Sequence, residues 1–238
     1  MTTFAIVGEG ITDQHVIESI VLGCFSDHDE EPEVNYEQPL LDRTGLSAKS
    51  AKGTKPEPGG WTLVFEYLRL GKHLDALQFN TYLIIHIDTD VCEEPGYDVP
   101  RIEDGKALTP RELAGKVVAK LTGIIGAEVY ARHRDRFLFA VAVHGIECWL
   151  LPLLFPNKKS ATAEKIAGCF KTANEELRKK NLPLLGKGPK GQETKDPDAY
   201  LAASKPYRRR AKLLELAERN PSLQIFVEQL EVLRSPAL

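Results

Sequence analysis

Two short apolar runs each end in acid, and this constrains the fold more than any other feature of the chain. Thr81-Tyr-Leu-Ile-Ile-His-Ile87 is nearly continuous apolar sequence and leads straight into Asp88-Thr89-Asp90. A run without polar alternation is expected of a central parallel strand covered on both faces. Phe4-Ala-Ile-Val-Gly8 is a second such run, followed at once by Glu9. Ile11–Cys24 then places Val16, Ile17, Ile20 and Val21 at helical spacing, with Thr12 as the expected N-cap. The chain thus opens strand, tight turn, helix, with Glu9 on the turn.

The same alternation continues. Residues 26–60 are polar and rich in Glu, Lys, Gly and Pro, and predict a long loop with one short strand near Glu33–Pro39. Trp61 to Leu77 returns to helical spacing. Residues 91–107 form a second acidic loop. Thr109-Pro110-Arg-Glu112 has the N-cap, first-position proline and first-turn acid of a helix start, and that helix is expected to reach about Ile125. Phe137–Val143 is a third continuous apolar strand. It leads through His144-Gly145-Ile146 to Glu147 and then Trp149-Leu-Leu. Beyond it, helices are expected near 163–180, 198–217 and 223–233, with a basic Gly/Lys/Pro loop at 186–197. Alternating strands and helices predict an α/β fold with a mostly parallel central sheet flanked by helices. Residues 1–156 form the α/β domain in this reading, and 157–238 a basic helical extension packed on the same core.

Charge supports that division. Residues 157–238 carry 17 Lys+Arg against 10 Asp+Glu, a net of +7, whereas residues 1–156 carry a net of −10. A basic third beside an acidic two-thirds suits a protein that holds a polyanion near a metal site, although a charge run can also simply face water. The chain has 238 residues and 42% hydrophobic residues, enough to bury a sizeable core. No apolar run approaches the ~20 residues of a membrane span. The first residues do not read as a signal peptide. The four cysteines form no CxxC pair, so a zinc ribbon is not expected, and the thiols read as reduced and mostly buried. Together these place the protein in the cytoplasm.

Sites in parallel α/β sheets form beyond the carboxyl ends of the strands, where Glu9, Asp88, Asp90 and Glu147 all fall. If the chain stays extended, alternation puts Asp88 and Asp90 on one face. Clustered carboxylates repel unless a cation sits among them, and oxygen donors select a hard ion, Mg²⁺ or Mn²⁺. Such a site can polarise a phosphodiester and activate water, with one carboxylate left as general acid or base. Asp13 reads as supporting these ligands or capping the helix. His144 is near enough in sequence to Glu147 to face the site. His86, inside an apolar strand, reads as a core histidine. Arg208, Arg209 and Arg210, beside Tyr207, could grip phosphates, with Lys187 and Lys190 on the basic loop.

Glu9-Gly10-Ile-Thr12-Asp13 after the first strand, with Asp88-Thr-Asp90 after a later one, resembles the toprim domain of topoisomerases, primases and overcoming-lysogenization-defect nucleases. The EGxTD phrase is most similar to the nuclease branch. His144-Gly-Ile-Glu147-Cys-Trp149, and Tyr200 to Arg208 through Pro221 to Leu230, resemble further segments of a small bacterial toprim-related family. The resemblance thus spans nearly the whole chain through short motifs. It implies that Glu9 is an acid/base or a metal ligand, that Asp88 and Asp90 hold Mg²⁺, and that Glu147 completes a second metal position. It also implies a lysine near the scissile phosphate, for which Lys205 is the candidate with Arg209 in reserve. Activity would be metal-dependent cleavage of DNA or RNA, in phage defence or DNA repair, beside a separate ATPase and in a chain that could dimerise. The alternatives are a partner-activated or non-catalytic effector module and, further off, a primase-like nucleotidyl transferase.

Overall fold

The computed structural model describes residues 1–39, 60–155, 168–187 and 194–234. Strand β1 (Thr3–Val7) enters helix α1 (Ile11–Cys24), and β2 (Glu33–Gln38) follows. Helices α2 (Trp61–Arg69) and α3 (Lys72–Phe79) lead to β3 (Tyr82–Asp88). A two-residue hairpin, β4 (Ile102–Glu103) and β5 (Lys106–Ala107), precedes α4 (Pro110–Ile125) and α5 (Ala127–His133). Then come β6 (Phe137–Ala142), α6 (Glu147–Leu154) and α7 (Cys169–Lys179). A second small hairpin, β7 (Gly186–Lys187) and β8 (Thr194–Lys195), leads to α8 (Pro197–Ser204), α9 (Arg210–Ala217) and α10 (Pro221–Arg234).

Four strands form one sheet in the order β2-β1-β3-β6, and all its pairings are parallel. The apolar runs therefore sit as their composition demands, β1 and β3 in the middle. Their alternation sorts two cores. Phe4, Ile6, Ile84, Leu138 and Ala140 face α1 and the C-terminal helices. Ala5, Val7, Leu83, Ile85, Ile87 and Phe139 face α2, α3 and α4. From β1 the chain pairs with β2 on one side and β3 on the other. The order thus reverses between β1 and β3, which opens a crevice at their carboxyl ends.

The C-terminal third builds the first of these cores. Tyr200, Tyr207, Leu213, Leu223, Phe226 and Leu230 are buried with Ile17, Ile20 and Trp149 in one cluster. This explains why α1 is buried well beyond its apolar stripe, through Thr12, Asp13, Gln14 and Ser19. Ser204 Oγ lies 3.0 Å from Ser19 Oγ, and the Tyr207 carbonyl fills the space beside Gly23. Helix α10 seals the free edge of β6: the Gln229 side-chain amide accepts from Phe139 N at 2.9 Å and donates to Phe139 O at 3.0 Å. That amide replaces the strand that would otherwise pair there.

Several expectations need correction. The helix expected over Trp61–Leu77 is two, because Gly71 takes a left-handed conformation (φ 73°) between them. The 91–107 loop contains the β4–β5 hairpin. Helix α1 is capped by Gly10 rather than Thr12, with no side-chain cap. The cysteines are not all reduced: Cys148 and Cys169 form a disulfide, with Cα atoms 5.1 Å apart, while Cys24 and Cys92 are free and buried. The expected start of α4 is present in full, with Thr109 and Glu112 forming a reciprocal capping box. Lys190 and most of the 26–60 loop lie outside the described residues. No helix among the described residues is long and apolar enough to cross a membrane.

Gly23→Ala would drive its Cβ to 1.8 Å from the Tyr207 carbonyl oxygen. It should destabilise the fold by about 1–3 kcal/mol. Exposed Gly115 on α4 has nothing within 4 Å, and Gly115→Ala should stabilise by up to about 1 kcal/mol. Urea denaturation of both variants checks the pair. Equal effects would contradict the packing of α1 on the C-terminal segment.

Candidate functional site

The crevice between β1 and β3 collects the acids. Glu9 follows β1 on the turn into α1. Its Oε1 accepts the Asp88 backbone N–H at 2.7 Å, which ties the two strand ends together. Asp88 closes β3 and is 8% exposed. Asp13, in the first turn of α1, is buried against the same point. Glu147 arrives from the far side as the first residue of α6, also buried. Gly145 lies beside Asp88 and Glu147: a Cβ there would stand 3.1 Å from Glu147 Oε2 and 3.3 Å from Asp88 Oδ2. A side chain there would press on both oxygens.

Helix α6 is held firmly, which fixes Glu147. The Trp149 indole N–H donates to Ser222 Oγ at 2.8 Å, and Asn220 Nδ2 donates to the Cys148 carbonyl at 3.1 Å. The Tyr207 hydroxyl donates to the Trp149 carbonyl. The disulfide adds a covalent tie one residue after Glu147.

Two cations face the acids, and sequence reasoning assigned neither to the site. His86 is fully buried. Its Nδ1 lies 2.7 Å from the Ala140 carbonyl, and Nε2 stands 3.3 Å from Asp88 Oδ1 and 3.8 Å from Asp13 Oδ2. An imidazolium, which donates from both nitrogens, matches these surroundings. Strand alternation contained the signal, since His86 and Asp88 share a face. The second cation is Lys195 on β8, with Nζ 2.7 Å from Glu147 Oε1. The Tyr200 hydroxyl donates to the same oxygen at 2.5 Å. Lys195 carried no sequence signal beyond being one of many basic residues.

The remaining candidates distribute unevenly. Asp90 does not continue the strand. The chain turns after Asp88, and Asp90 is exposed at the rim, where Arg101 donates to its carbonyl. His144 has φ 67°, and its backbone exchanges hydrogen bonds with Thr89, through Thr89 Oγ1 at 2.8 Å and Thr89 N at 3.2 Å. Its turn therefore shapes the crevice floor. Lys205 is not brought to the cluster. It is exposed on the 3-10 turn after α8, which packs along the C-terminal half of α1. Arg208 pairs with Glu18 at 3.7 Å, and Arg210 pairs with Glu231 and Asp27, so two of the three arginines are engaged within the fold. Arg209 is exposed. Lys187 ends β7.

The charges shape one another. Burial, then the Asp88 carboxylate, push the Glu9 carboxyl up to about 8. Burial pushes Asp88 up to about 7, with His86 pulling the other way. Burial also raises Asp13, and partial desolvation beside Glu147 raises Asp90 although its side chain is open at the rim. For Glu147 burial acts upward, but Lys195 and the Tyr200 hydroxyl hold it below the usual carboxylate range. Burial acts against the charge on His86, yet Asp88, Asp13 and Glu9 push it up to about 9.

A hard divalent ion fits this donor set. The donors are carboxylate oxygens, and Asp88 Oδ2 and Glu147 Oε2 both lie beside Gly145, while Asp88 Oδ1 faces His86 Nε2 at 3.3 Å. Among the described residues, no three His, Cys, Asp or Glu side chains are already gathered as a ready-made ion shell. Holding such an ion would require Glu9, Asp88 and Glu147 to reorient toward one point, with Asp90 at the rim.

Glu9, Asp88 and His86 each bind a proton more tightly folded than unfolded. Each thus contributes stability that is complete below its ordinary value (4.5, 3.8 and 6.5) and lost as pH rises through about 8, 7 and 9. Glu147, held low, changes only in acid. The melting temperature of EDTA-treated protein should therefore fall as pH rises toward 9, and Glu9→Gln should flatten the slope. A melting temperature that climbs over the neutral-to-alkaline range would contradict the buried cluster. Comparison of the chain with protein-family models, with characterised proteins and with solved structures gave no match, so the functional reading rests on this geometry.

Proposed function

We propose that the chain is a divalent-metal-dependent phosphodiesterase acting on nucleic acid, a nuclease of toprim type. The observation that carries this reading is the grouping of buried carboxyls beyond the carboxyl ends of the strands: Glu9 accepts from the Asp88 backbone N–H, and Asp88 Oδ2 and Glu147 Oε2 both lie beside Gly145. The four-stranded parallel sheet, with acids after its first and third strands, agrees with the toprim resemblance of the Glu9 and Asp88 motifs.

Asp88 and Glu147 would hold Mg²⁺ or Mn²⁺, with Glu9 or Asp90 completing the set. A bound ion supplies charge to polarise the phosphate and acidify a water. The chain's own residues do the rest. Glu9, its carboxyl pushed up to about 8, holds or accepts a proton near neutral pH and so serves as general acid or base. Lys195, rather than Lys205, is the cation at the cluster and would offset charge building on the phosphate oxygens. His86 keeps Asp88 and Asp13 in place by balancing their charge from below.

Purified protein should cut plasmid DNA, single-stranded DNA or transfer RNA with Mg²⁺ or Mn²⁺ and not with EDTA. Asp88→Asn and Glu9→Gln should each lower the rate by about a hundredfold or more. Cleavage that persists in both variants would come from a contaminant and remove the support for this reading. Inactivity of every form, across substrates and metals, would favour the effector module.

A further inference from the structure

The cluster already contains its own cations, and they differ in one respect. His86 is fully buried and anchored through Nδ1 to the Ala140 carbonyl, so it has no route out. Lys195 reaches the same acids from outside. Its side chain is 43% exposed and rises from a two-residue strand on the surface, while its ammonium sits 2.7 Å from Glu147 Oε1. That oxygen also takes the Tyr200 hydroxyl, and the ammonium lies 5.7 Å from the Tyr200 ring centroid. Glu147 is therefore held by both groups through Oε1. Its Oε2 is turned toward Asp88 Oδ2 across Gly145, where an ion would enter.

We propose that Lys195 is a resident counter-ion that keeps the acidic cluster charge-balanced while no metal is bound, and that an entering divalent cation displaces its ammonium from Glu147 toward solvent. This rests on the metal-dependent reading of the site and adds how that site is loaded. A divalent ion between Asp88 and Glu147 would share a carboxylate with a full positive charge, in a crevice where screening by water is weak. The two cations compete, and only Lys195 is free to leave. Its flexible four-carbon stem lets the ammonium move outward without disturbing the backbone. The device has a consequence for order of binding: the ammonium becomes available to an anionic substrate only once the metal has replaced it. A site balanced in this way stays folded without metal and resists casual occupation by weakly binding ions.

Mn²⁺ binding by calorimetry on the full chain tests this, with Lys195→Met removing the charge, Lys195→Arg keeping it and Asp88→Asn as the control for the site. Lys195→Met should bind Mn²⁺ about tenfold tighter or more than the unaltered protein. It should also melt at a lower temperature without metal and recover on adding Mn²⁺. Lys195→Arg should stay near the unaltered protein in both. If Lys195→Met folds poorly, Lys195→Gln carries the same expectation. Unchanged or weaker Mn²⁺ binding in the charge-removing variant, with binding abolished by Asp88→Asn, would overturn the displacement and leave the metal site standing. Mn²⁺ binding unaffected by Asp88→Asn, or absent from every form, would remove the metal site and the proposal with it.

Discussion

Packing acids of like charge into one buried crevice is the constraint on which the rest of the structure depends. Glu9, Asp13, Asp88 and Glu147 would each be far more comfortable in water, and their proximity raises the cost further. The fold meets this with positive charge delivered from two directions. Strand β3 places His86 beneath Asp88, two residues away on the same face. The C-terminal third places Lys195 and Tyr200 against Glu147. Without these partners the carboxyls would be pushed still further toward protonation or forced apart.

That requirement explains the shape of the C-terminal third. Its helices complete the core under one face of the sheet rather than hanging from it. Helix α8 runs beside α1, so Tyr200 lies at the acidic end and Ser204 meets Ser19 further along. Asn220 caps α10 by accepting from Ser222 N and Leu223 N, and with its amide it also holds the Cys148 carbonyl of α6. The basic character read from composition is thus partly structural. Arg208, Arg210 and Arg234 neutralise Glu18, Asp27 and Glu231 within the molecule.

Local regularity made much of the fold readable from the chain itself. Continuous apolar runs located β1, β3 and β6, and helical spacing located α1 and α10, because each pattern has a period that burial enforces. The strand-end acids followed from the same logic. The rest depended on contacts distant in sequence. Lys195 meets Glu147 from 48 positions away, on a strand of two residues that has no periodicity to detect. The Cys148–Cys169 pairing joins residues with no motif spacing. Asp90 required knowing that the chain turns after Asp88, and the break at Gly71 required its left-handed backbone. His86 was visible by alternation, yet an apolar strand makes a histidine look like filler until its neighbours are known.

We propose that the acids beyond the carboxyl ends of β1, β3 and β6 form a site for one hard divalent ion. Anomalous scattering from a crystal grown with Mn²⁺ tests this most directly, because it locates the ion without relying on activity. A peak is expected beside Gly145, with Asp88 and Glu147 oxygens at ligand distance and the Lys195 ammonium withdrawn. An Mn²⁺ peak elsewhere, or an empty cluster with Lys195 still on Glu147 at saturating Mn²⁺, would contradict it.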